Sequence, residues 1–189
     1  MTEYVHDEGL QLGEIEKIQN KASALFPQGI PAYVQDITYF GDKLYLHTNE
    51  QEMEYLCYRS AFRGSGTAVI VPVDEVLRHR LNVIESFVRE NVKVPKPLID
   101  ALPQKKDDWY KGLYQGMKMT IALSKFCILY RGEAYPPVML TKELLPSCRE
   151  GTFRFKIEVE KVYMGPHLNG QLCSLNLRVV SIDHIPKYQ

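Results

Sequence analysis

FRFKIEVEKVYMG (153–165) and GQLCSLNLRVVSI (170–182) are the two stretches on which the reading of this chain turns. Phe153, Phe155, Ile157 and Val159 alternate with Arg154, Lys156, Glu158 and Glu160, the period of a strand with one apolar and one charged face. Cys173, Leu175, Leu177 and Val179 alternate in the same way with Ser174, Asn176 and Arg178. Between the two runs, Gly165 to Gly170 is a glycine-bounded loop, so the end of the chain reads as an antiparallel hairpin. Each strand then slips phase by one residue. After Lys161 the inward role passes to Val162, and after Val179 it passes to Val180 and Ile182. Such a slip turns every later side chain to the other face unless a residue bulges out. Two strands that both switch are expected where a sheet coils hard, as in a small closed barrel.

Upstream, Pro72 closes the strand Thr67–Val71 and suits the first turn of a helix, where Asp74 and Glu75 meet the positive end of the macrodipole. Val73, Val76, Leu77, Leu81, Ile84, Phe87 and Val88 repeat at helical period to about Asn91. DITYFGDKLYLHT reads as a hairpin divided at Gly41-Asp42, and EYLCYRSAF as a strand. Leu12, Ile15, Ile18, Ala22, Leu25 and Phe26 step by three and four, which predicts a helix over Leu10 to Phe26 within an N-terminal helical segment, 1–29. Pro95, Pro97 and Pro103 predict a long loop over 92–112. LYQGMKMTIALSKFCILYRG supplies one or two strands, and KELLPSC a short helix or turn. The expected fold is a single α+β domain over residues 1–189, mainly antiparallel β. It is a coiled barrel elaborated with two or three helices.

Hydrophobic residues make up 45% and charged residues 24% of the 189, an ordinary globular composition. No run approaches the length of a membrane-spanning helix. The acidic amino terminus lacks the plan of a signal peptide. Cys57, Cys127, Cys148 and Cys173 are far apart, without metal-ligand spacing, and three lie in apolar runs as reduced core thiols would. These features predict an intracellular protein, cytoplasmic or nuclear, with no membrane partner. The net charge of zero conceals an asymmetry. Residues 1–54 hold ten acids against Lys17, Lys21 and Lys43, whereas residues 93–131 hold eight bases against Asp100, Asp107 and Asp108.

The chain has no phosphate-binding loop, nucleophile elbow, dinucleotide fingerprint or zinc-protease motif. His6, His47, His79, His167 and His184 are scattered, and Asp107-Asp108 lies in the proline-flanked stretch. The expectation is therefore a protein that is not an enzyme, with no cofactor and no metal. KKDDWYKGLYQGMKM interleaves cations with flat side chains, the two things single-stranded nucleic acid requires. Lys105, Lys106, Lys111 and Lys118 would hold phosphates, with Trp109, Tyr110 and Tyr114 as stacking platforms. Lys125, Phe126, Tyr130 and Arg131 continue the mixture, and Arg154, Lys156 and Arg178 add cations on the charged face of the last hairpin.

The coiled hairpin after a basic, aromatic stretch resembles the barrel strands of oligonucleotide-binding (OB) folds, which implies that the expected barrel is OB-like. In particular it resembles the single-stranded-DNA-binding proteins of phages and large DNA viruses. The resemblance implies a role in viral or mobile-element DNA replication or recombination. It departs from many such proteins at its end, IDHIPKYQ, where an acidic tail would stand. The expected partner is single-stranded DNA or RNA. The alternative is an interaction or assembly module, a homo-oligomer in which the acidic N-terminal part meets the basic middle of a neighbour.

Overall fold

The computed structural model describes residues 4–18, 29–60, 66–101, 109–113, 116–166 and 170–187. Ten strands and two α-helices lie within them: β1 (Leu10–Ile18), β2 (Ala32–Tyr39), β3 (Asp42–His47), β4 (Gln51–Tyr55), β5 (Tyr58–Ser60) and β6 (Thr67–Pro72), then α1 (Glu75–Asn91) and α2 (Lys96–Ala101), then β7 (Lys118–Tyr130), β8 (Val138–Met139), β9 (Arg149–Met164) and β10 (Cys173–Pro186). Hydrogen-bonded neighbours follow the order β1-β2-β3-β9-β10-β7-β6-β5, with β4 on β9 and β8 on β7. The fold is α+β with a mixed sheet, since β10 runs parallel to β7. Among the described residues β1 and β5 end the order without pairing to each other, so the sheet is open.

The chain gathers into two compact units. The first holds Met1–Leu44, Arg78–Leu113 and Glu160–Asn176. There β1 pairs antiparallel with β2, and β2 with β3 and with the end of β9. Its core draws Ile37 from β2, Leu81, Ile84 and Val88 from α1, and Val162 and Met164 from β9. The second holds Tyr45–Leu77, Tyr114–Val159 and Leu177–Gln189. In it β5, β6 and β7 form an antiparallel run, and β4 pairs with the start of β9. Phe153, Phe155, Ile157, Val69, Ile121 and Leu129 are buried there.

The hairpin behaves as the alternation dictates. Phe153, Phe155, Ile157 and Val159 are buried, Glu160 and Lys161 are half-buried, and burial resumes at Val162. In β10, Val179 is buried, Val180 and Ser181 are half-buried, and burial resumes at Ile182. The helix over 75–91 also forms as its apolar period predicts, with a cap one residue earlier. Asp74 Oδ1 accepts the Leu77 N–H at 2.8 Å, satisfying one of the donors a helix start leaves free. The other carboxylate oxygen accepts from Asn49 at 3.0 Å.

Three expectations are corrected. Leu10–Ile18 is a strand, not a helix. Its register against β2 shifts between Leu12 and Ile15, a bulge at Gly13-Glu14 that turns an extended period of two into a step of three. That step mimics the spacing of a helix; Gln19 to Phe26, the rest of the predicted helix, lie outside the described residues. The run 92–112 is not all loop, because Lys96–Ala101 is helical with Leu98 buried. Pro95 supplies a carbonyl to the Leu98 and Ile99 amides, and Pro97 sits in the first turn, where no amide is needed. The predicted strand EYLCYRSAF is divided between β4 and β5, with Ala61 and Phe62 outside the described residues.

Candidate nucleic-acid interface

β7 is built to present one row of side chains outward. Met119, Ile121, Cys127 and Leu129 are buried, while Lys118, Thr120, Phe126, Ile128 and Tyr130 are exposed. The row is interrupted where β7 lengthens against β10. Val179 pairs with Leu123 and Ser181 with Ile128, so β7 takes five steps where β10 takes two. Within this bulge the Phe126 N–H donates to Ser124 Oγ at 3.3 Å, and both Lys125 and Phe126 face solvent. Phe126 is 72% exposed.

The neighbouring strands extend this face. Paired residues of adjacent strands share a side of the sheet, and Ile128 is paired with Met139 of β8 and Ser181 of β10. Met139 is 54% exposed, and Ile185, further along β10, is also exposed. Tyr130 is paired with Asp183, and beyond the strand the Arg131 guanidinium lies 5.5 Å from the centre of the Tyr135 ring. Toward the start of β7 the strand pairing makes one row of Arg59, Ala68, Ala122 and Arg178, in which Ala68 is buried. An exposed apolar and aromatic surface bordered by cations is the outcome.

The sequence-predicted residues divide. Lys118, Lys125, Tyr130, Arg131 and Arg178 belong to the second unit, on or beside this face. Arg154 and Lys156 belong to the same unit but are engaged elsewhere: Arg154 pairs with Glu50 at 3.2 Å, and Lys156 lies 4.4 Å over the Tyr45 ring. Trp109, Tyr110 and Lys111 belong to the first unit. Lys111 is exposed and Trp109 half-buried, its carbonyl accepting from the amides of Leu172 and Cys173. Lys105, Lys106 and Tyr114 lie outside the described residues.

Tyr110 is not a stacking platform, because it is fully buried. Its ring lies under the Arg89 guanidinium, 4.5 Å from centroid to carbon. The Glu85 carboxylate is the negative charge that acts on its hydroxyl. Burial and that neighbouring negative charge push the phenol far above its ordinary value. Burial also raises Glu85, while Tyr110 and the Arg89 charge work the other way. This cluster anchors the connection to the first unit's core.

The second unit also holds a cleft of about 750 Å³ between Tyr55, Tyr58, Pro146 and Pro186. Its one histidine, His184, stacks on Phe153 at 4.4 Å, and its Nε2 is 2.9 Å from the Arg149 carbonyl. A carbonyl only accepts, so Nε2 carries the proton and is committed to the backbone. Burial raises the nearby Cys148 thiol, and all four cysteines are free. Those groups serve packing more than chemistry. Among the described residues no group of three or more histidine, cysteine or acidic side chains is placed to hold a metal ion. None of the described helices is long and apolar enough to cross a membrane.

Ile128, Met139 and Ile185 were not among the predicted site residues. Ile128 was readable from the alternation of β7, whereas Met139 joins the face only through the pairing of β8. No protein-family model, curated protein or solved structure matches the chain.

Proposed function

We propose that this chain is a non-enzymatic binder of single-stranded DNA or RNA, and that the bases lie on the exposed face of β7. The observation that carries the reading is Phe126 and Tyr130 exposed on one strand together with Lys118 and Lys125. Unpaired bases stack on flat side chains at about 1–3 kcal/mol each, and cations beside them track the phosphates. Arg131 and Arg178 lie close enough in the pairing scheme to extend that track. The comparison with an OB-like barrel is part of this proposal: the matched face-switch of β9 and β10 is the coil such a barrel uses. Closure would need a pairing between β1 and β5 beyond those described.

Anisotropy of a labelled oligothymidine tests the reading. Phe126→Ala and Tyr130→Ala should each weaken binding by about five- to a hundredfold, the range one lost stack implies. With about three phosphates neutralised, log affinity should fall against log salt with a slope of about −2. No binding at low salt, or alanine variants that bind like the parent chain, would refute it.

A further inference from the structure

We infer that the turn between β2 and β3 of one copy docks, through Phe40, onto the exposed apolar face of β7 and β8 in a second copy. The turn residues Phe40 and Gly41 have φ of +48° and +84°. A two-residue hairpin turn of this kind favours Asn-Gly, because a bulky side chain is strained in the left-handed region. The strain is not returned as core burial, since Phe40 is 65% exposed. Strain retained at an exposed aromatic is a mark of a site that binds something.

The ring is also held in position. The Phe40 N–H donates to the Gly9 carbonyl at 2.8 Å, and the ring meets Tyr39 edge-on at 4.6 Å. A Cβ on Gly9 would overlap both rings, so only glycine lets them close over the backbone there. The Tyr39 hydroxyl in turn accepts from the His6 N–H at 3.2 Å. A rigid aromatic anchor loses little freedom on docking.

Charge selects the occupant. Asp7, Glu8 and Asp42 are exposed around the Phe40 turn, against Lys43. The β7 face carries the opposite balance, Lys118, Lys125, Arg131 and Arg178 against Asp183 and Glu133. Its apolar surface, Phe126, Ile128 and Met139, offers what a phenyl ring needs. Knob and patch therefore sit on the same chain with complementary charge, which defines a heterologous contact between two copies.

Sedimentation velocity of the full chain, without nucleic acid, tests this from micromolar to near-millimolar concentration. The mass should climb above the 21.8 kDa of one chain as concentration rises. Phe40→Asn removes the knob and suits the left-handed turn, so the variant folds and its association weakens by about thirtyfold, as for a central anchor. Ile128→Lys, or Met139→Lys should the first not fold, removes the patch with the same result. Mixing the knob-less and patch-less chains restores one contact and yields a pair that neither forms alone. A parent chain that stays monomeric throughout, a Phe40→Asn chain that associates like the parent, or a mixture that fails to pair overturns the inference. Oligonucleotide binding by the Phe40→Asn chain is expected to persist, so failure here is distinguishable from failure of the nucleic-acid reading.

Discussion

Replacing Gly151 by alanine puts the fit between β9 and β10 under direct load. Gly151 is buried in β9 opposite Met53 of β4. A Cβ there would overlap the Ile185 carbonyl oxygen and lie 3.0 Å from both the Ile185 carbonyl carbon and the Pro186 Cα. All three are backbone atoms, so no rotamer relieves the clash and the end of β10 must retreat. Two contacts go with it: the Lys187 N–H to the Glu150 carbonyl at 2.9 Å, and His184 Nε2–H to the Arg149 carbonyl at 2.9 Å. Overpacking costs about 1–3 kcal/mol, and a weakened hydrogen bond adds about 1 kcal/mol. The total, about 2–4 kcal/mol, lowers Tm by roughly 4–16 °C at 2–4 °C per kcal/mol for a chain of this size. Thermal and urea unfolding of the variant measure it. Gly112→Ala is the control, since nothing lies within 4 Å of a Cβ there, and it should be neutral or slightly stabilising. A Gly151→Ala chain within about 0.5 kcal/mol of the parent would mean that β10 does not press on β9 as described.

Two further perturbations test buried polar groups. Burial holds His184 below its ordinary 6.5; the carbonyls of Arg149 and Glu150 oppose the shift and Arg131 adds to it. The unfolded chain therefore takes up the proton first, so this site's stability is whole above about pH 6.5 and is lost as pH falls through the folded value. His184→Phe should flatten the fall in urea midpoint between about pH 7 and 5, and an unchanged slope would remove His184 as its source. Tyr110→Phe keeps the ring under Arg89 and deletes the buried hydroxyl on which the Glu85 charge acts; a loss of about 1.5–3 kcal/mol at neutral pH is the expected result of a charge-assisted contact between them. The loss should shrink in acid, where Glu85 takes up a proton; equal loss at both pH values would show that the hydroxyl does not serve the carboxylate.

What the sequence made legible follows from how local each signal is. The hairpin β9–β10 and helix α1 each bury one face along a single continuous element, so alternation and helical period report them directly. The bulge in β1 is equally local but deceptive, because an extra residue at Gly13-Glu14 gives Leu12 and Ile15 the spacing of a helix. Tyr110 stands beside Trp109 and Lys111 in the sequence and reads as part of an exposed mixture. Its burial comes from Arg89 and Glu85 on a helix twenty residues earlier, a contact no window around Tyr110 contains. Lys118, Lys125 and Tyr130 were found because cations and aromatics alternate along one strand. Met139 was not, since its place on that face depends on a two-residue strand pairing across a turn.

The face-switch of the terminal hairpin also sets a parity that β7 must meet. β10 moves from one buried residue, Val179, to the next, Ile182, in three steps, an odd number. Its partners on β7, Leu123 and Leu129, are six steps apart. Strand faces alternate with period two, so Ile182 and Leu129 can share the buried side only if β7 carries an odd number of extra residues. One would satisfy the parity, and β7 carries three. The two residues beyond the necessary one have no counterpart on β10 and are free of the ladder, and it is in this segment that Lys125 and Phe126 turn to solvent. A slip that reads at first as a matter of sheet coiling thus fixes a constraint on the neighbouring strand. The surplus over that constraint is what creates the exposed aromatic on which both the proposed nucleic-acid face and the proposed docking patch depend.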